Sequence, residues 1–215
     1  VLIVALARPV DKYETREVSV EGIDIVLSID ISSSMLAQDF EPDRLEVAKE
    51  MASKFVSDRE SDRFSLVAFA GEAYSLTPIT ANRGDVQTLL SSMHSGTVTD
   101  GTAIGNGLAT ALNRLRDSEA ESKVVVLLTD GVNNSGQISP MMAAEIARDM
   151  DVKLYTIGVG TNGTAPYPYQ GFGGTQYVQV PVEIDEATLI EIAETASGQY
   201  YRATSNSKLK EVYAE

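Results

Sequence analysis

The sequence predicts an α/β fold: a doubly wound, open and mostly parallel sheet with helices on both faces and one antiparallel edge strand. Two observations carry this. Short runs rich in β-branched residues alternate with amphipathic helical stripes along most of the chain. Only one pair of strands is joined too tightly for a helical crossover, so only that pair should be antiparallel.

The strands are read first. Ile23 to Ile29, Phe64 to Ala70, Val124 to Thr129 and Leu154 to Val159 are apolar almost throughout, as strands covered on both faces are. Ala73 to Ile79 follows Gly71-Glu72 at hairpin distance and contains Pro78, which suits an edge. Between these lie five helical stripes. Leu45, Ala48, Met51, Ala52, Phe55 and Val56 share one face, with Pro42 near the first turn. Val86, Leu89, Leu90 and Met93 form a shorter stripe, and Ile104, Leu108, Ala111, Leu112 and Leu115 the next. Ala143, Ile146, Ala147 and Met150 follow, and Leu189, Ile192, Ala193 and Ala196 close the series. The resulting order is β-α-β-β-α-α-β-α-β-α. Thr161 to Pro181 breaks it: rich in glycine, proline and tyrosine and without a helical period, it reads as an inserted loop or hairpin.

Composition narrows the function classes. At 215 residues, 43% hydrophobic and 22% charged, the chain can bury a substantial core. Its net charge of −14, from 31 acidic and 17 basic residues, argues against a nucleic-acid surface, which needs a basic face. There is no cysteine, which excludes disulfides and thiolate chemistry, and His94 is the only histidine, which excludes a multi-histidine metal site. Val1 to Ala7 is an apolar run closed by Arg8-Pro9. At seven residues it is far short of the roughly 20 needed to cross a bilayer, so it is either a buried strand or the tail of a membrane helix.

Ligands of open α/β sheets sit beyond the carboxyl ends of the strands, above all where the strand order reverses. Two strands run directly into aspartate there. Ile23 to Ile29 leads to Asp30-Ile31-Ser32-Ser33-Ser34, and Val124 to Thr129 leads to Asp130-Gly131. A third polar loop, Thr99-Asp100-Gly101-Thr102, opens the Ile104 helix. Taken singly, each piece could be a cap or a turn: Ser and Asp often cap helices, Thr102 could be an N-cap, and Asp130-Gly131 could be a turn. Together they place two carboxylates and three hydroxyls, all hard oxygen donors, at one sheet edge, a set suited to Mg²⁺.

Asp30-x-Ser32-x-Ser34, the separated Thr102, and Asp130 after its apolar strand resemble the metal-ion-dependent adhesion site of von Willebrand factor A (VWA) domains, a Rossmann-like fold. The resemblance implies that Ser32, Ser34 and Thr102 contact the ion through hydroxyls, while Asp30 and Asp130 often act through bound water. Mg²⁺ is the expected ion, with Mn²⁺ or Ca²⁺ as substitutes, and no catalytic residue is expected. Ser34 to Phe40, Pro42 to Glu46, Asp100 to Gly105, and Glu183-Ile184-Asp185-Glu186 through Ala203 are similar to the Bat (aerotolerance) branch of bacterial VWA proteins. In that branch, an apolar segment ending in Ala-Arg-Pro closes a transmembrane helix. Residues 1–15 are therefore expected to be the end of a membrane-proximal segment, and residues 16–215 the VWA domain. The branch implies anchoring in the bacterial inner membrane through flanking helices, with the periplasmic side favoured. Its implied partners are proteins that offer an Asp or Glu, among them other Bat-type proteins or a MoxR-type AAA+ ATPase.

Three functional readings follow. The first is metal-dependent binding of a partner carboxylate. The second is a metal-dependent phosphatase-like hydrolase with Asp30 as nucleophile, although serine at position 32 stands where a second aspartate would be expected. The third is a structural domain with an unused site. Repulsion between Asp30 and Asp130 in the metal-free site leads to the expectation that removing either would not unfold the domain.

Overall fold

The structure, a computed structural model, describes residues 22–171 and 174–205. Val1 to Pro9 and the proposed membrane-proximal segment therefore lie outside the described residues. The elements are β1 (Asp24–Asp30), a 3₁₀ turn (Ser33–Leu36), α1 (Arg44–Asp58), β2 (Arg63–Phe69), β3 (Ala73–Ser75), α2 (Arg83–Ser92), α3 (Ile104–Leu115), β4 (Lys123–Thr129), α4 (Pro140–Asp149), β5 (Val152–Val159), β6 (Gly163–Gly171), β7 (Gly174–Val182), α5 (Glu186–Thr195) and β8 (Tyr200–Ala203). Helix starts follow the local chemistry. Asp43, Ser139 and Asp185 cap α1, α4 and α5 by accepting from backbone N–H groups three residues on. Pro140 occupies the first helical position of α4, where no N–H is needed.

Six strands form one sheet in the order β3-β2-β1-β4-β5-β8. All neighbours are parallel except β2 and β3. One apolar cluster packs α1 and α2 against one face of the sheet, and a second packs α3, α4 and α5 against the other. β1 shows the division residue by residue. Ile25, Leu27 and Ile29 enter the first cluster and Val26 the second, as the two-residue period of a strand requires. The chain fills the β2 side of β1 first and then crosses to β4, so the strand order reverses between β1 and β4.

Two elements differ from the expected pattern. The edge strand ends at Ser75 instead of continuing to Ile79. The Leu76 N–H still donates to the Leu66 carbonyl, but Pro78 has no N–H and the Thr77 carbonyl is taken by the hydroxyls of Ser65 and Ser75; pairing then resumes at a Phe64–Thr80 bridge. The second difference is β8, four half-polar residues added at the far edge of the sheet. Its pairing with β5 rests on tertiary contact, because Tyr-Tyr-Arg-Ala is too short to show a period. The segment after β5 is a two-stranded antiparallel hairpin, β6-β7, separate from the main sheet.

Helix α3 lies close to the sheet because position 107 is glycine. A Cβ there would stand 2.8 Å from the ring of Phe69, which is fully buried, and 3.2 Å from the Ser28 hydroxyl. Gly107→Ala gains roughly 0.8–1 kcal/mol in helix propensity, whereas overpacking a fixed ring costs roughly 1–3 kcal/mol. The expected outcome is net destabilisation, read as a lower urea midpoint with an unchanged m-value.

Candidate metal site

The parallel register aligns Ile29 with Leu128, so Asp30 ends β1 beside Thr129 and Asp130 follows one residue on, at the same edge of the sheet. Asp30 is fully buried. One of its oxygens accepts from the Ser32 backbone N–H at 2.8 Å and the other from the Thr129 hydroxyl at 2.6 Å. Both bonds are local and lock the turn after β1, so Asp30 shapes the loop that carries the serines. The Ser32 and Ser34 hydroxyls are 3.0 Å apart, and Ser34 donates to Asp130 at 2.8 Å.

Thr102 reaches the same place from the third loop. Its backbone N–H donates to the Asn134 side chain at 2.9 Å, and its carbonyl accepts from the Asn134 backbone at 3.0 Å. A Cβ at position 131 would lie 3.1 Å from the Thr102 hydroxyl, so that hydroxyl faces the Asp130-Gly131 turn. Thr102 does not cap α3. Ala103 holds the cap position without a side-chain bond, and Asn133 supplies the missing acceptor to the Ile104 N–H at 2.9 Å. The structure thus brings Asp30, Ser32, Ser34, Thr102 and Asp130 to one edge.

The oxygen set fits a small hard cation. Adjacent ligands of octahedral Mg²⁺, each about 2.0–2.1 Å from the ion, are about 2.9 Å apart. The Ser32–Ser34 and Ser34–Asp130 separations of 3.0 and 2.8 Å are hydrogen-bond lengths and are compatible with that edge length, so an ion could replace these bonds without moving the oxygens far. No cluster of three or more carboxylate, histidine or cysteine side chains occurs among the described residues, so any ion held here would depend on hydroxyls.

The model of the von Willebrand factor type A domain matches residues 24–215. The chain belongs to this family. Among solved structures, the VWA chain is similar to BatB from Bacteroides thetaiotaomicron, with 30% identity, a TM-score of 0.79, and coverage of 90% of this chain and 96% of that one. It is also similar to an aerotolerance-related membrane protein from Bacteroides fragilis, with 32% identity, a TM-score of 0.78, and coverage of 90% and 98%. A further likeness, at 25% identity and a TM-score of 0.71, covers 91% of this chain and 45% of proximal thread matrix protein 1 from the mussel byssus, described with a zinc-occupied MIDAS motif. An uncharacterized protein of Borreliella burgdorferi is 37% identical over 204 residues, 94% of this chain and 60% of that protein. The VWA chain therefore spans less than two thirds of the length of this curated relative.

The site also contains residues that the pattern reading missed. Arg44, the first residue of α1, is 1% exposed. It donates to Asp130 at 2.5 Å and, through two nitrogens, to both oxygens of Asp39 at 2.6 and 2.7 Å. Burial alone would lower its pKa, but the Asp39 hydrogen bonds and the charges of Asp130 and Asp39 raise it above its usual value. Asp39 also accepts from the Thr161 backbone and hydroxyl, at the base of the hairpin. A first-turn arginine in the pattern Asp39-x-x-x-x-Arg44 looks like an ordinary surface pair; only the fold shows it buried. Asp100 is the other omission. Its carboxylate accepts from the Ser33 backbone at 2.9 Å and the Ser33 hydroxyl at 2.6 Å, and so ties the Thr102 loop to the serine loop. Those bonds hold its pKa below the usual carboxylate value.

Burial pushes the Asp30 carboxyl up to about 7, and the neighbouring Asp130 charge adds to the effect. Burial raises Asp130 too, opposed by the Arg44 charge and by hydrogen bonds from Ser34 and Arg44. The expectation that removing either aspartate leaves the domain folded therefore carries an added cost at Asp130. Besides facing Asp30, Asp130 is half of a buried ion pair, and its loss leaves Arg44 with Asp39 alone.

Two outcomes follow. Breaking a buried pair by removing one partner typically costs about 3–5 kcal/mol, so Arg44→Met should lower metal-free stability by roughly that amount in chemical denaturation. For Asp30, the folded pKa lies above the unfolded one, so the folded chain holds its proton longer. Its contribution to stability is full below about pH 4 and is lost as pH rises towards about 7. In chelator, the stability of Asp30→Asn relative to wild type should therefore increase from pH 5 to pH 8; a pH-independent difference would contradict the raised pKa.

Proposed function

We propose that this VWA domain binds a divalent cation, Mg²⁺ or Mn²⁺ with Ca²⁺ as a substitute, at Asp30, Ser32, Ser34, Thr102 and Asp130, and uses it to hold a carboxylate of a partner protein. The observation that carries the reading is the convergence of three loops: the Ser32 and Ser34 hydroxyls and Asp130 lie within hydrogen-bond distance of one another, and the Thr102 hydroxyl faces the same turn. With hydroxyls in place of further carboxylates, much of the cation's charge remains uncompensated, and a partner's Asp or Glu supplies the missing anion. The zinc-occupied MIDAS motif of the mussel protein supports a divalent ion in this family.

Binding is favoured over turnover by the placement of Asp30. A phosphatase nucleophile must reach its substrate, yet Asp30 is fully buried and both its oxygens already accept hydrogen bonds. His94, the only histidine in the chain, lies past the end of α2 and bonds its ring nitrogen to the nearby Ser92 carbonyl.

The proposed setting is a bacterial inner membrane, with the domain held by segments flanking it, favoured on the periplasmic side. Support comes from the membrane-protein description of the Bacteroides fragilis neighbour and from the extra length of the curated relative. No helix among the described residues is long and apolar enough to cross a membrane. Other Bat-type proteins or a MoxR-type ATPase are the proposed partners, and the acidic net charge gives no support to nucleic acid.

The test is metal-dependent thermal stability. At 10 mM Mg²⁺ and a Kd near 1 mM, linkage gives about 1.4 kcal/mol, a rise in Tm of a few degrees for a chain of this size. Asp30→Ala and Asp130→Ala should abolish the rise, each measured against its own metal-free baseline, while Ser32→Ala should only reduce it. Identical responses from wild type and both aspartate variants would overturn the site.

A further inference from the structure

The hairpin has one apolar face. Cross-strand pairs place Ala165 beside Val180, Tyr167 beside Val178, and Gly163 beside Val182. Burial along this face is graded. Ala165 is fully buried, Tyr167, Val180 and Val182 are half-buried, and Val178 and Tyr169 are 42% and 59% exposed. At its base the hairpin meets the serine loop, and the two enclose an open cleft of about 180 Å³ lined by Ser33, Ser34, Ala37, Tyr167, Val180 and Val182, with Pro181 at its rim. Ser34 thus belongs both to the oxygen set and to the wall of an apolar cleft.

The cleft is held in place. The Gln38 backbone donates to the Pro166 carbonyl at 2.8 Å, and Thr161 is bonded to Asp39, which Arg44 joins to Asp130. A wall tied to the site by hydrogen bonds loses little freedom when something binds against it.

We propose that the partner segment is extended, carries one carboxylate, and places a large apolar side chain two residues away from it, in the cleft between the hairpin and the serine loop. The inference rests on the carboxylate-binding reading above. In an extended chain, residues i and i+2 point to the same side, about 6.6–7 Å apart. A carboxylate directed at the Ser32–Ser34–Asp130 oxygens therefore brings its second neighbour over the adjoining cleft. Charge selects against a more acidic segment. The chain carries −14, and the residues lining the cleft bring no positive charge, so a further carboxylate there would gain no partner while an apolar neighbour gains by burial.

The test uses two capped peptides, Leu-Gly-Asp-Gly-Leu and Ser-Gly-Asp-Gly-Ser, titrated by NMR into the protein in 10 mM Mg²⁺ or in chelator. The expected result is magnesium-dependent binding with the leucine peptide roughly tenfold tighter. That preference should vanish in Val180→Ser and in Tyr167→Ser, while both variants keep the wild-type rise in Tm with Mg²⁺. Equal, magnesium-dependent binding of the two peptides would overturn the cleft and leave the carboxylate reading standing. Leucine-peptide binding that persists in chelator would overturn the proposed link between carboxylate and cleft. No binding of either peptide, despite a Tm rise with Mg²⁺, would overturn both readings. Concentration-dependent dimerisation in sedimentation, lost in Val180→Ser, would assign the cleft to a second copy of the chain and likewise overturn the proposal.

Discussion

The parallel pairing of β1 with β4 sets the position of everything that follows it. Residues a hundred positions apart become neighbours because each strand is apolar on both faces and must be covered by helices from both sides. Once the strands are in register, Asp30 and Asp130 leave the sheet together, and the loops after them have nowhere to go but over its carboxyl edge. The backbone of Ala103 then bonds to Ala70, past the end of β2, and brings the Thr102 loop against the same edge.

Bringing two carboxylates together in a buried place has an electrostatic cost, and the chain meets it from within. Arg44 lies under the site and binds Asp130 on one side and Asp39 on the other. Asp39 in turn holds Thr161, so the charge that compensates the site also fixes the base of the hairpin. Metal-site electrostatics and the position of the hairpin are thereby one hydrogen-bonded unit. The arrangement keeps Asp130 oriented towards Ser34, which is half-buried, while Asp30, Ser32, Thr102 and Asp130 are buried.

A shell made mostly of hydroxyls suits recognition. On the proposed reading such a shell would hold a hard cation without neutralising it, beside the half-apolar hairpin surface, where shape and hydrophobic burial would distinguish one anionic partner from another. Charge by itself discriminates poorly among carboxylates, so on that reading the neighbouring surface would carry the selectivity.

The architecture was legible in the sequence wherever a period was long enough to read. The four apolar strands and five helical stripes each span several residues of one repeat, and their order implied the mostly parallel sheet. Asp30, Ser32, Ser34 and Asp130 were legible as well, because they follow directly on those strands, and Thr102 because its polar loop opens a helical stripe. What escaped were features created by contact between distant segments. β8 is too short to show alternation, and the early end of β3 depends on where Thr77 finds its partners. Arg44, Asp39, Asp100, Asn133 and Asn134 are common surface types whose roles depend on what lies opposite them in space. Their side chains act through directed bonds across separations of 5 to 122 residues. Periodicity along the chain decides which elements form and which face of each is buried; the depth of a charged side chain and the partner it meets are decided only when the helices close on the sheet.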